Sequence, residues 1–107
     1  MAICWVNAGS CGQETSIEAH KVGQTKAALE FTTTCQYVSA LAEELTELDI
    51  GSEVTKPLNE TLTYTLAAKH MCRTSCVVPA AILKMVELTG GIFPADSCAI
   101  EFLDTAV

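Results

Sequence analysis

Apolar and polar positions change their period along this chain, and each period names an element. Residues 2–8, Ala-Ile-Cys-Trp-Val-Asn-Ala, are mostly apolar and rich in strand formers, which predicts a first strand stopped by Gly9-Ser10-Cys11-Gly12. From Thr15 to Val22 the period is two, with Ile17 and Ala19 on one side and Ser16, Glu18 and His20 on the other. It resumes after Gly23 with Ala27, Leu29 and Phe31 set against Lys26, Ala28 and Glu30. This alternation predicts a hairpin with one wet face, on which His20 lies.

The period then lengthens. Val38, Leu41, Ala42, Leu45 and Leu48 recur at helical spacing while Glu43, Glu44, Glu47 and Asp49 take the opposite face. An amphipathic helix is predicted, capped by Thr34, opened by Cys35 and ended at Gly51-Ser52. A connector containing Pro57 follows over 52–58. Asn59 stands where it would cap a helix running through Leu62, Leu66 and Ala67 to Lys69, although Leu62-Thr63-Tyr64-Thr65-Leu66 also alternates like a strand. A final helix is predicted over 78–89, with Pro79 in its first turn, Ile82, Met85, Val86 and Leu88 or Thr89 buried, and Gly90-Gly91 as its stop. Cys98-Ala99-Ile100-Glu101-Phe102-Leu103 alternates again, which predicts a last strand that buries Cys98. The sum is one α+β domain over 1–107: an antiparallel sheet, element order β-β-β-α-α-α-β, with helices packed on one face.

Charge narrows the partners. Thirteen acidic residues against six basic ones give a net charge of −7, which argues against binding a phosphate backbone. No apolar run is long enough to span a membrane, and Met1-Ala2-Ile3-Cys4-Trp5 lacks the basic start and long apolar stretch of a signal peptide. The expectation is a cytoplasmic protein that engages neither nucleic acid nor membrane. In a reducing compartment six cysteines point to metal binding or redox chemistry rather than to a disulfide framework.

The densest chemistry lies in His70-Met71-Cys72-Arg73-Thr74-Ser75-Cys76, directly before the last helix. Lys69, His70 and Arg73 make the setting cationic, and Cys76 stands at the positive end of a helix, where unpaired N–H groups favour a thiolate. Cys4 and Cys98, among apolar neighbours, read as packing residues. Cys11 sits on a glycine turn and Cys35 before a helix, so Cys11, Cys35 and Cys76 share one description. Antiparallel strands with helices on one face allow those ends to converge, giving a soft site suited to zinc or an iron–sulfur cluster.

The order of these residues resembles the iron–sulfur cluster assembly scaffold family, the IscU type that also forms the N-terminal part of NifU, over roughly residues 6–88. The resemblance rests on Cys11-Gly12 after a strand, on Glu30-Phe31-Thr32-Thr33-Thr34-Cys35 with Ser39-Ala40, and on Cys76 followed by Ala80, Ile82 and Lys84. Two positions depart from it. Gln13 stands where the family has Asp, and Ser75 where it has His; His70 and Cys72 stand nearby as substitute ligands. Nothing in the chain resembles a phosphate loop, a paired-carboxylate site or a Ser/His/Asp set, so no enzyme is expected; the resemblance implies as partners a metal or cluster and a protein cluster donor or acceptor.

The leading expectation is therefore a small thiolate metal-binding protein, a scaffold relative or a zinc-binding derivative, with Cys11, Cys35, Cys72 and Cys76 as ligands. A second is a thiol redox protein cycling Cys72 and Cys76, although their spacing is not Cys-x-x-Cys. A third is a structural or interaction domain whose cysteines do nothing special.

Overall fold

The computed structural model describes residues 1–94 and 96–106. Its elements are β1 (Ala2–Asn7), β2 (Glu14–Val22), β3 (Lys26–Thr33), α1 (Gln36–Glu44), β4 (Glu47–Asp49), α2 (Ile50–Thr55), a 3-10 turn (Leu58–Glu60), α3 (Leu62–His70) and α4 (Val78–Thr89). The four strands form one antiparallel sheet in the order β1-β2-β3-β4. α4 packs on β1 and β2, and α1 packs on β3.

The period-two segments fold as their pattern requires. Ile17, Ala19, Ala27 and Leu29 turn inward and are buried, while His20 and Glu30 face water. Val38, Leu41, Leu45, Ile82, Met85 and Val86 close the core from the helical side. The opposite sheet face stays open, with Ile3 and Trp5 of β1 each 60% exposed. α4 starts and stops where Pro79 and Gly90 place it. A Cβ at Gly90 would meet Ile50 Cγ2 at 2.8 Å, so the residue both ends the helix and lets α2 approach it.

Three predicted features differ. The first helix does not run to Leu48: it ends at Glu44, Leu45 leaves the helical conformation, and Thr46 turns its carbonyl to the Leu29 N–H at 2.9 Å. Leu48 is still buried, but from β4, whose Glu47 pairs with Lys26 at 3.4 Å across the ladder. Gly51-Ser52 is likewise not a stop but the first turn of α2. Asp49 caps that helix, its Oδ1 accepting from the Ser52 N–H at 2.9 Å. The last strand does not form: residues 96–106 carry neither helix nor strand, and Cys98 is exposed rather than packed. Among the described residues the segment is paired with no strand of the sheet.

The ambiguous segment resolves as a helix, capped by Thr61 and not by Asn59. Thr61 Oγ1 accepts from the Tyr64 N–H at 3.1 Å, and the Glu53 carboxylate of α2 accepts from the N–H groups of Leu62 and Thr63 at 2.7 and 3.1 Å. The Thr63 hydroxyl adds a third bond to Glu53 at 2.8 Å. Glu53 is 5% exposed, so this burial is tolerated only because three donors and the positive end of α3 meet it.

Removing that carboxylate strands three donors. Glu53→Ala is expected to destabilise the fold by roughly 2–4 kcal/mol, and Glu53→Gln by less because its amide oxygen still accepts. Urea unfolding of the three proteins checks this. An alanine variant as stable as the parent would show that the cap contributes nothing.

Candidate functional site

A ladder of threonines brings the first two candidate thiols to one end of the sheet. Thr34 N–H donates to the Glu14 carbonyl at 3.0 Å, and Glu14 N–H donates to Thr34 Oγ1 at 3.0 Å, so the end of β3 is fastened to the start of β2. Thr33 Oγ1 donates to the same Glu14 carbonyl at 3.2 Å, meets Thr15 Oγ1 at 2.8 Å and accepts from the Cys35 N–H at 3.1 Å. Cys35, and not the expected Thr34, is thereby fixed as the N-cap of α1, and its thiol makes no cap hydrogen bond; Thr34 is turned instead to Glu14. Cys11 sits three residues before Glu14 on a turn closed by Gly12 N–H to Gly9 O at 2.9 Å. Gly9 and Gly12 take φ of +92° and +75°, which glycine adopts without strain.

The third and fourth thiols follow α3. Met71 N–H closes that helix on the Ala67 carbonyl at 2.9 Å, Cys72 is exposed, and Cys76 N–H reaches back to Arg73 O at 3.4 Å before α4 begins at Val78. Cys35 and Cys76 are half-buried against the core, whereas Cys11 and Cys72 stand in water.

Burial pushes the Cys76 thiol above its ordinary pKa of 9.0; a hydrogen bond from the Val78 backbone opposes this, and the like charges of Cys35, Cys11 and Cys72 reinforce it. The thiolate expected at the helix start is therefore not favoured in the metal-free chain. The cationic setting is also weaker than its sequence implies. Lys69 Nζ lies 3.2 and 3.1 Å from the two carboxylate oxygens of Glu44, and His70 Nε2 contacts Glu44 Oε2. The His70 bond, then the Lys69 bond, hold the Glu44 carboxyl below its ordinary pKa. This cluster had no signal in sequence, since its members lie 25 and 26 residues apart.

Cys35, Cys11 and Cys72 thus lie within electrostatic reach of Cys76. They are not closed into a cage: among the described residues no three His, Cys, Asp or Glu side chains are gathered closely enough to hold a metal ion. Cys4 and Cys98 form a separate pair. Burial raises the Cys4 pKa, a backbone hydrogen bond from Ile17 opposes it, and the charge of Cys98 adds to the rise.

Fold and site together define a small α+β domain with a four-stranded antiparallel sheet and a thiol-bearing rim. The chain belongs to a family of unknown function, DUF6951, whose sequence profile matches residues 3–102. That membership overturns the resemblance to the iron–sulfur scaffold family, whose local cysteine patterns this chain shares without its family signature. No curated protein and no solved structure matches the chain. Among the described residues no helix is long and apolar enough to cross a membrane.

Two raised thiols give a pH dependence of definite sign. Cys4 and Cys76 keep their protons more tightly folded than unfolded, so above pH 9.0 the unfolded chain has shed protons that the folded chain retains. Their contribution to stability is complete below that pH and is lost as pH rises through the folded values. The urea midpoint of metal-free protein is expected to fall above pH 9.0, and to fall less steeply in Cys76→Ala. Identical slopes in the two proteins would contradict the assignment.

Proposed function

We propose that this domain is a cytoplasmic thiolate metal-binding protein that takes a soft divalent cation, zinc in the first instance, between Cys11, Cys35, Cys72 and Cys76. The observation that carries the reading is that Cys35, Cys11 and Cys72, from a helix cap, a glycine turn and a pre-helical loop, all lie within electrostatic reach of the Cys76 thiol. The threonine ladder supports it by fixing Cys35 beside the start of β2.

The electrostatics support a cation in particular. Each thiol that ligates gives its proton to solvent, and the thiolates then repel one another; a dication replaces that repulsion with attraction and offsets half of four negative charges. Cys11 and Cys72 lie on exposed turns, where the backbone is free to close a cage that the metal-free chain leaves open. Cys76 is the gate of the process, because its raised pKa must be overcome before it can bind. Occupancy therefore rises with pH. The redox alternative draws less support, since Cys72 and Cys76 are not spaced as Cys-x-x-Cys.

Offered Zn²⁺ under reducing conditions, the protein is expected to take up about one ion per chain and to shield four thiols from a thiol reagent together. Cys76→Ser keeps the volume but substitutes a hydroxyl that stays protonated, so zinc content should fall several-fold while circular dichroism is unchanged. Cys98→Ser should retain its metal. Full zinc loading of Cys76→Ser, or a parent protein that binds no zinc, would leave the four thiols without this role.

A further inference from the structure

The free edge of the sheet and the C-terminal tail have complementary defects. β1 pairs only with β2, so its other side presents unpaired backbone groups, flanked by Ile3 and Trp5 in solvent. The tail has the opposite problem. Cys98-Ala99-Ile100-Glu101-Phe102-Leu103 alternates as a strand does, yet Ile100, Phe102 and Leu103 are 75%, 81% and 95% exposed. The family match runs to residue 102, so the sequence of this segment is common to the family almost to its end.

We propose that β1 is a docking edge for a second copy of this chain, whose residues 98–103 add as a fifth strand, each copy lending its tail to the other across a twofold axis. In this pairing Cys98, Ile100 and Phe102 join the inner face beside Ala2 and Cys4. Ala99, Glu101 and Leu103 join Ile3 and Trp5 on the outer face.

Direction selects the second copy over the chain's own tail. α4 packs on β1, and Leu88 and Thr89 at its end line a groove with Met1, Ala2 and Ile3 at the start of β1. α4 thus runs antiparallel to β1, and a tail leaving α4 along its own edge would run parallel to β1, the weaker mode on an otherwise antiparallel sheet. The charge of Cys98 reaches Cys4, so the tail sets out beside that edge, but its apolar side chains beyond stay in water. A copy related by a twofold axis perpendicular to β1 presents its tail in the reverse, antiparallel sense. Reciprocal exchange is isologous and closes at two. It brings Ile100 and Phe102 onto the inner face and sets Leu103 beside Ile3 and Trp5 as cross-strand neighbours on the outer one.

Light scattering on the full chain, with reductant and chelator present so that neither disulfide nor metal bridges copies, tests the proposal. The mass is expected to rise with concentration from 11.4 kDa toward twice that value, with a blue shift of Trp5, the single tryptophan. Ile100→Lys combined with Phe102→Lys alters side chains that are exposed within one copy; it should keep the same circular dichroism yet remain monomeric, without the shift. A parent protein that stays monomeric at hundreds of micromolar overturns the proposal. In that case protection of amides 98–103 from hydrogen exchange would assign the edge to the chain's own tail, and their free exchange would leave it vacant. A double variant that dimerises as well as the parent overturns it too.

Discussion

The buried carboxylate of Glu53 is the constraint on which the helical layer depends. A charge at 5% exposure is tolerable only with complete hydrogen bonding, and its partners are the first two N–H groups of α3 and the hydroxyl of Thr63. α2 and α3 must therefore meet at a right register, or both a carboxylate and a helix terminus are stranded. Thr61 takes the next N–H, so the start of α3 is fully satisfied. The far end of the same helix carries His70 and leads into Cys72 and Cys76. The cap thus fixes where the thiol loop begins, although it touches none of the cysteines.

This interaction also marks the limit of what the chain discloses as a string of residues. Local signals were sufficient for β1 to β3 and for α4, because alternation, Pro79 and Gly90-Gly91 act within a few residues. They failed where a partner lies far along the chain. Leu48 fits the phase of a helix and the phase of a strand equally well, and only the Lys26–Asp49 ladder decides between them. Gly51 looked like a terminator because the Asp49 cap before it competes with the helix behind it. The tail fails in the reverse sense: its pattern is that of a strand, but within one copy no edge pairs with it.

The candidate site divides along the same line. That Cys11, Cys35 and Cys76 sit at turn or helix starts was legible from glycines, caps and Pro79. Their protonation was not, because it depends on burial and on the pairing of cations with Glu44, neither of which is local in sequence. A helix terminus contributes one backbone hydrogen bond to Cys76, and desolvation outweighs it. Lys69 and His70, which look like activators of a thiol, are engaged by a carboxylate. What remains around Cys76 is a thiol that burial and its neighbouring cysteines keep protonated.

α4 connects the two surfaces inferred for this domain while keeping them apart. Its start adjoins the thiol rim and its end adjoins the start of β1 and the tail, and twelve residues at about 1.5 Å each separate them by nearly 20 Å. That distance exceeds the Debye length of about 8 Å at physiological salt, so charge added at the rim is screened at the strand edge. Any coupling must pass through packing. Val78, Ile82, Met85 and Val86 are all buried along the intervening helix, so a shift of α4 on closing a metal site would be felt at Gly90, where a Cβ already has no room beside Ile50. The helix is rigid enough to transmit such a shift and close-packed enough to resist it. The proposed metal uptake and the proposed strand exchange would therefore couple only through a shift of α4, which its packing resists.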